Sequence, residues 1–506
     1  MKKPRSPRLP GCIYPQRWIQ LLALFLLAVP GWSQPFWPQF RGPSGQGVSA
    51  TASPPLTFSR TNALWTAEVP LGHSSPVVWG NKIFLTSFEE KKLNCRAYDR
   101  DTGKLLWSKP VAAEKIEETH PFSNPAAATP AVDADRVIFY LGSCGLLAYT
   151  HDGQLAWEKQ LPAQVSRGHY GSASSPVLCN DLVVLALDTD EGGSRLVAFK
   201  RSTGEQAWET PRPLFMAGWS TPVVWEKAGH SEIVVLGSKK LVAYDPVDGK
   251  EIWSVPGFTI ETACSPAFEA DRVFACSAGL GGRSSVQFDS SGWKQLLQFD
   301  ANKDGKIQID EPPQDFKLVI RPELPEGHSG RLLPFDIRDM LKGTDEDKDS
   351  AVSEQEWAKS EEHFQKSDVP VLMALRPGQS VKSEERVAWK YSRGIPEVPS
   401  PLSYQGHLYL VRDGGLLQCM DTANGSVLYQ ERLGVSGGYT ASPVAAQDRV
   451  YVVSHSGTIT VIDAHSDKLK VLARNPLGEK ITATPALVEN VIYVRTEKHL
   501  FAFGGG

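Results

Sequence analysis

The sequence predicts an all-β, eight-bladed propeller that carries a small inserted α-helical module. Three observations predict this fold class. A hydroxyl residue followed by proline and an apolar run recurs eight times along the chain, and Gly-containing polar turns recur within the units. The fifth and sixth of these prolines, Pro266 and Pro401, are 135 residues apart, whereas the other intervals are 42 to 54 residues. Repetition at such a period is typical of propellers, and the long interval indicates an insertion.

Each repeat unit begins with two short apolar strands joined by a turn, as in "ATPAVDADRVIFYLGS". The eight units are headed by Pro76, Pro130, Pro176, Pro222, Pro266, Pro401, Pro443 and Pro485. A third strand, a polar turn and a fourth strand follow, as in "LVAYDPVDGKEIW" at 241–253. Asp-Gly and Thr-Gly turns between apolar runs are hairpin turns, because glycine adopts the positive φ that they need. We therefore expect four antiparallel strands per unit.

The last unit ends at "HLFAFGGG" and lacks a fourth strand. "ALWTAEVP" at 63–70 has the character of that missing strand. Pairing it with the C-terminal strand would close the ring and remove both exposed sheet edges. Four tryptophans recur at one place in the unit, and we expect them to pack between blades instead of holding a cofactor: Trp107, Trp157, Trp208 and Trp253.

The N-terminus has the pattern of a signal peptide, with a basic start, the apolar run "WIQLLALFLLAV" and small residues before a cleavage after Ser33. We predict a signal peptide at 1–33, an N-terminal extension at 34–62 and a periplasmic or secreted mature chain with no membrane span. The net charge of −4 does not favour a nucleic-acid partner, and we expect a monomer. Cys264 and Cys276 flank a predicted hairpin, where they form either a disulfide or two buried thiols.

The repeat unit resembles the pyrroloquinoline-quinone-like β-propeller repeats, which join an alanine-aromatic-aspartate strand end, a Thr-Gly or Asp-Gly turn and a tryptophan. The resemblance covers residues 37–280 and 370–506, and "WPQFRGPSGQGVS" at 37–49 looks like secreted bacterial members. It implies either a quinoprotein dehydrogenase or a non-catalytic scaffold, similar to the propeller lipoprotein of the outer-membrane assembly machinery. The quinone enzymes of the family carry a Cys-Cys disulfide and a calcium ion on the quinone, and this chain has no two adjacent cysteines.

The stretch "DANKDGKIQIDE" at 300–311 follows the order of an EF-hand calcium loop. Such a loop offers oxygen ligands at positions 1, 3, 5, 7, 9 and 12, with glycine at position 6. The predicted ligands are Asp300, Asn302, Asp304, the carbonyl of Lys306, Gln308 and Glu311. "SSGWKQLLQF" before the loop predicts an entering helix, while Pro312 and Pro313 disfavour an exiting helix.

A second loop, "DEDKDSAVSEQE" at 345–356, repeats the pattern 45 residues later. Its predicted ligands are Asp345, Asp347, Asp349, the carbonyl of Ala351, Ser353 and Glu356. Ser350 replaces the glycine at position 6, which costs on the order of 1 kcal/mol in backbone conformation. Two loops with an apolar residue at position 8 predict a paired EF-hand that binds about two calcium ions.

The EF-hand module is predicted to occupy residues 284–368, between propeller segments 63–283 and 369–506. Aligning 372–378 with the third strand of other units places the insertion between the second and third strands of blade five. An alternative assigns 286–292 to the third strand. The first arrangement brings the module to the mouth of the propeller, which also carries these residues: His73, His120, His169, Trp219, Glu261, Glu397 and Tyr439.

The sequence presents no catalytic or cofactor-binding constellation that would assign an activity. We therefore expect a secreted, calcium-binding propeller that serves as a non-catalytic scaffold for envelope or extracellular proteins, without pyrroloquinoline quinone. The alternative function is that of a quinoprotein alcohol or sugar dehydrogenase. Fold resemblance alone does not choose between them.

Overall fold

Eight antiparallel sheets of the described chain are arranged in a ring, so the predicted eight-bladed propeller is confirmed. This computed structural model describes Met1, Glu326, Leu332 and residues 35–111, 116–117, 119–162, 164–166, 170–190, 193–213, 215–227, 229–269, 271–279, 290–319, 337–367 and 369–505. The predicted signal peptide at 1–33 lies outside the described residues except for Met1. Among the helices described, none has both the length and the apolar character needed to cross a membrane.

Each blade is a sheet in which the strands follow one another in chain order, with the first strand nearest the ring axis and the last at the rim. In blades one to four the strands are Val77–Trp79, Lys82–Glu89, Lys92–Asp99 and Leu105–Val111; Ala131–Val132, Arg136–Tyr140, Leu146–Thr150 and Leu155–Lys159; Val177–Cys179, Leu182–Leu187, Arg195–Lys200 and Gln206–Pro211; and Val223–Lys227, His230–Gly237, Lys240–Tyr244 and Glu251–Pro256. The second and third strands are rich in Val, Leu, Ile and Phe, because neighbouring blades cover both of their faces.

Blades five to eight repeat this order, with one strand supplied from the N-terminal region. Their strands are Ala267–Glu269, Arg272–Ser277, Val371–Leu375 and Val387–Tyr391; Leu402–Tyr404, His407–Arg412, Leu416–Asp421 and Val427–Arg432; Val444–Ala446, Arg449–Val453, Thr458–Asp463 and Val471–Pro476; and Ala486–Val488, Val491–Arg495, His499–Gly504 and Trp65–Glu68. Trp65 pairs with Ala502 and Glu68 with His499 in antiparallel register. The predicted closing strand is therefore confirmed.

The hydroxyl residue before each repeated proline joins its blade to the preceding one. The backbone N–H of Ser75 in blade one donates to the hydroxyl of Thr129 in blade two at 2.9 Å, and the N–H of Thr129 donates to Ser175. The series continues through Thr221, Ser265, Ser400, Ser442 and Thr484, and then returns to Ser75, with distances of 2.9 to 3.1 Å. Eight side-chain hydroxyls thus satisfy eight buried backbone N–H groups in a closed circle.

The recurring tryptophans pack against the polar turn of the following blade. The indole N–H of Trp107 donates to the carbonyl of His151 at 2.9 Å, and the ring contacts the place where a side chain on Gly153 would sit. Trp157 and Trp208 make the equivalent hydrogen bonds. The predicted packing role is confirmed, although Trp253 differs: it donates to Glu232 of its own blade and stacks on Arg386 of blade five.

The segment 36–53 lies across the inner ends of the blades. Phe36–Trp37 pairs with the inner strand of blade one, and the carbonyl of Pro38 accepts from Val132 in blade two. Its further contacts, in blade order, are Gln39 with Leu178, Gly45 with Val223, Gln46 with Phe268, Gly47 with Leu402, Val48 with Ala445 and Ser53 with Glu489. One segment therefore contacts all eight blades, and we call it the axial segment.

Arg41 of the axial segment is fully buried at the ring axis. Its guanidinium donates to the carbonyls of Pro401 at 2.6 Å, Gln46 at 3.2 Å and Pro266 at 3.4 Å. Other contacts of the segment involve Gln447 and Glu489, where inner strands turn into second strands. The axial segment therefore occupies the end of the axis opposite the loops that connect one blade to the next.

Candidate metal centre

The inserted module is joined to blade five between its second and third strands. Arg272–Ser277 pairs directly with Val371–Leu375, as the alignment of 372–378 predicts, and the alternative assignment to 286–292 is wrong. At the end of the second strand, the N–H of Thr259 donates to the hydroxyl of Ser277. Thr259 belongs to the loop between blades four and five, so the module leaves blade five at the face that carries the inter-blade loops.

The described part of the module contains three α-helices, one short 3-10 helix and a two-stranded sheet. The α-helices are α1 (Ser290–Leu296), α2 (Ile337–Thr344) and α3 (Glu354–Ser367), the 3-10 helix is Leu297–Phe299, and the strands are Lys306–Gln308 and Ala351–Ser353. These elements enclose a small core of their own, formed by Trp293, Leu296, Ile307, Leu318, Ile337, Leu341, Val352 and Trp357. Its residues belong to none of the propeller clusters, so the module buries its apolar side chains by itself.

The second acidic loop, 345–356, lies between α2 and α3 as a helix–loop–helix unit. One carboxylate oxygen of Asp345 accepts the N–H of Ser350, and Asp347 and Asp349 accept the N–H groups two residues further on. Glu356 reaches back from α3 to accept the N–H groups of Glu346 and Ser353. These bonds fold the loop so that the carboxylates of Asp345, Asp347 and Asp349 lie close together.

The first loop, 300–311, has the same hydrogen-bond pattern. Asp300 accepts from Gly305, Asn302 accepts from Asp304, and Asp304 accepts from Lys306. Glu311 accepts the N–H groups of Ala301 and Gln308, as Glu356 does in the second loop. Both loops therefore have the same local geometry, although one has Asn where the other has Asp.

The two loops are held side by side by their eighth residues. Ile307 pairs with Val352 in the two-stranded sheet, and both side chains are fully buried in the module core. Position 6 has a positive φ in each loop, 79° at Gly305 and 69° at Ser350, so the substituted serine adopts a conformation that favours glycine. The first loop differs from the second in its exit, because the described residues 312–319 contain no helix.

The donor set fits a hard divalent cation. Carboxylate oxygens of Asp345, Asp347 and Asp349 lie within 4.8 Å of one another. One buried oxygen of Asp345, Oδ1, has no hydrogen-bond partner, and such an oxygen is normally satisfied by a donor or a cation. The pKa of Glu356 is lowered to about 2, first by the N–H and then by the hydroxyl of Ser353, so this carboxylate is ionised at neutral pH.

The residues predicted at the mouth lie in the inter-blade loops of the described chain, except for His169, which lies outside it. An aromatic row crosses three of these loops: His120 contacts Tyr170 at 5.0 Å between ring centroids, and Tyr170 contacts Trp219 edge-on at 5.5 Å. Burial, followed by the positive charge of Arg495, lowers the pKa of His73 to about 4. These contacts tie loops to one another and bring together no nucleophile and base.

Cys264 and Cys276 are both fully buried free thiols. The Sγ of Cys264 lies 3.4 Å from the carbonyl of Pro399 in the loop that leads to blade six. The structure thus corresponds to the buried-thiol alternative.

The sequence does not predict two features of the axis. The stretch 37–49 indicates only a family resemblance, and nothing in it predicts contacts with all eight blades. The repeated Ser/Thr-Pro pair gives the number of blades but does not reveal that its hydroxyl groups form a circle of hydrogen bonds. The strict recurrence of a hydroxyl at that place was the available signal, since packing alone would also accept alanine.

Comparisons with solved structures agree with the fold. BamB from Moraxella catarrhalis aligns with 87% of this chain and 98% of its own, at 10% identity and a TM-score of 0.51. The computationally designed Ika8 protein aligns with 88% of this chain and 100% of its own, at 11% identity and a TM-score of 0.52. Quinohemoprotein alcohol dehydrogenase ADHIIG from Pseudomonas putida HK5 aligns with 93% of this chain and 80% of its own, at 14% identity and a TM-score of 0.50.

These identities are low, and the similarities establish the propeller fold alone. No curated protein matches the chain. A family model does match, over residues 57–226, 194–308 and 339–502, which together include most of the sequence. The chain therefore belongs to the family described as outer membrane protein assembly factor BamB.

Proposed function

We propose that this protein is a secreted, calcium-binding β-propeller that acts as a non-catalytic scaffold for envelope or extracellular proteins. The observation that carries the calcium assignment is the matching hydrogen-bond pattern of the two loops, together with the buried Oδ1 of Asp345 that has no partner. In this proposal the ligands are the six oxygen donors of each loop, at positions 1, 3, 5, 7, 9 and 12.

The scaffold assignment rests on the surfaces that a rigid ring presents. The axial segment occupies one end of the axis, so the inter-blade face is the side on which partners have access to both the mouth and the module. Extracellular calcium modules of this type bind at roughly 10⁻⁴ to 10⁻³ M, a range in which the ion stabilises a module instead of signalling. Calcium would then hold the shape of a surface beside the mouth.

Calorimetric titration of the purified chain tests the calcium proposal. We expect about two ions per chain, and one ion after either Glu311→Gln or Glu356→Gln, because each change removes the bidentate ligand. Asp315→Asn is the matched control, since it makes the same carboxylate-to-amide change at an exposed residue outside both loops. Unchanged stoichiometry in the double Glu→Gln variant would refute the assignment.

The scaffold proposal is tested by affinity capture from an envelope fraction of the native source, with partners identified by mass spectrometry. We expect a reproducible partner with calcium present and weaker capture with a chelator or with the double Glu→Gln variant. A partner captured equally by all of these forms would separate the scaffold role from calcium. The absence of any saturable partner would contradict the scaffold role itself.

A quinoprotein dehydrogenase is the alternative function, because ADHIIG shares the fold. The chain lacks the adjacent cysteine pair that the resemblance associates with quinone binding. Arg41 occupies the axis with hydrogen bonds to backbone carbonyls. Reconstitution with pyrroloquinoline quinone and calcium, followed by dye-reduction assays with alcohols and sugars, tests this alternative. We expect no quinone-dependent turnover, and measurable turnover would replace the scaffold proposal.

A further inference from the structure

One lysine of the first loop reaches an acidic side chain of the second loop. The ammonium of Lys306 lies 2.5 Å from Oδ2 of Asp349, and both side chains are more than one third exposed. The two residues are 43 positions apart and are brought together by the short sheet, in which Lys306 pairs with Ser353. The contact therefore depends on the pairing of the two loops.

Lys306 can contribute to both loops, through its backbone carbonyl in the first loop and through its side chain in the second. It is the seventh residue of the first loop, where a calcium loop uses the backbone carbonyl and leaves the side chain free. Its side chain is thus available to contact Asp349, the fifth residue of the second loop and one of the three clustered carboxylates. The ammonium occupies one oxygen of a predicted ligand and adds positive charge next to the ion position.

We propose that Lys306 is an internal cation that competes with calcium at the second loop and weakens its binding there. This inference rests on the proposed calcium function. An incoming ion has to displace the ammonium from Asp349 or bind beside it, and both alternatives reduce affinity. Without the lysine, all three aspartates of the second loop would be available to the ion.

A second lysine in the module provides a matched comparison. The ammonium of Lys359 lies 2.7 Å from Oε2 of Glu346, also in the second loop. Glu346 is the second residue of the loop and contributes no ligand in the EF-hand order. Lys306→Met and Lys359→Met therefore each remove one positive charge that contacts the second loop, while only the first releases a predicted ligand.

The second loop is measured alone in a chain carrying Glu311→Gln, by calorimetric titration with calcium. In that background we expect Lys306→Met to lower the dissociation constant on the order of threefold, as for an exposed ion pair. Lys359→Met should change it less, and Lys306→Arg should retain the weak binding because it keeps the cation. The gain from Lys306→Met should shrink as salt is raised from about 0.05 M to about 0.5 M.

An unchanged or larger dissociation constant in the Lys306→Met chain would overturn this inference, as would an equal gain from Lys359→Met. Far-ultraviolet circular dichroism of each variant shows whether the fold is kept. If the unmodified chain binds two calcium ions and only the Lys306 effect is missing, the proposed calcium function stands without this competition. If the unmodified chain binds no calcium, both proposals are refuted.

Discussion

The backbone N–H of Thr484 donates a 3.1 Å hydrogen bond to the hydroxyl of Ser75, and this contact joins the last blade to the first. The two residues are 409 positions apart, yet their contact has the same form as the other seven in the circle. The ring is therefore closed at two levels: at the axis by this hydroxyl contact, and at the rim by the pairing of Trp65–Glu68 with the C-terminal strand.

Removing one hydroxyl from the circle should destabilise the ring. Ser442→Ala leaves the buried N–H of Ser400 without its acceptor, which costs about 1–3 kcal/mol in the free energy of unfolding. Ser75→Ala should have a similar effect at the closure, because the bond is the same. Urea denaturation measures both, and Ser442→Thr is the control that keeps the hydroxyl. Equal stability of the Ala and Thr variants would contradict the role given to the circle.

The axial segment should tolerate no side chain at Gly42. This residue has φ 69°, and an added Cβ would lie 2.5 Å from the buried ring of Trp37. Gly229 has φ 78° with no atom within 4 Å of such a Cβ, so it isolates the backbone contribution. We expect Gly229→Ala to lower the free energy of unfolding by about 1 kcal/mol. Gly42→Ala should lower it by about 1–3 kcal/mol more than Gly229→Ala does, since it also overpacks the core. Equal losses in urea denaturation would show that the segment moves aside freely.

The module should be removable without loss of the ring. A Gly-Ser bridge replacing residues 284–368 would connect two strands that are already paired, and the module core is separate from the propeller clusters. Circular dichroism should retain the β signature and thermal melting should remain cooperative, because each blade packs chiefly on its neighbours. The full-length double Glu→Gln variant is the control for loss of calcium alone. Failure of the shortened chain to fold would show that blade five depends on the module.

Acid should destabilise the protein in part through His73. Burial, Arg495, Lys480 and His455 lower its pKa in the folded state to about 4, whereas an unfolded histidine has a pKa of about 6.5. Between these values the unfolded chain takes up a proton that the folded chain does not, so stability falls as pH decreases from about 6.5 to about 4. Over this pH range the pKa difference of His73 lowers the free energy of unfolding by about 3 kcal/mol.

The variant His73→Asn should therefore lose less stability than the unmodified chain over that range, as measured by urea denaturation at several pH values. His465→Asn, at an exposed histidine whose Nε2 lies 3.0 Å from Oδ1 of Asp448, is the control. A pH dependence that is the same in the His73 variant and the unmodified chain would contradict the assignment.

The ring was predictable because its information is local and repeated. Each Ser/Thr-Pro phrase marks an inner strand within a few residues, and eight such marks count eight blades. The closing strand at 63–70 followed from one missing strand at the other terminus. The partners within the hydroxyl circle were not predictable, since seven of the pairs are 42 to 135 residues apart, the eighth is 409 residues apart, and all depend on the ring geometry.

The same distinction applies to the candidate site. All the predicted ligands of a loop lie within twelve residues, so the pattern from Asp345 to Glu356 is readable from the sequence. The contact between Lys306 and Asp349 arises only when the eighth residues of both loops pair, and no local pattern indicates it. The exit from the first loop was predictable in part, because Pro312 and Pro313 disfavour a helix there.

The axial segment has a consequence for biosynthesis. Residues 36–53 are translated before every blade that they contact, and the partner of Ser53 in the last blade is Glu489. The full set of axial contacts can form only when nearly the whole chain has been made. A nascent or truncated chain would hold this segment with some of its partners missing, which delays the final structure until the ring is complete. A segment translated before all eight blades is thus among the last to reach its native contacts, and it makes completion of the eighth blade a condition for a filled axis.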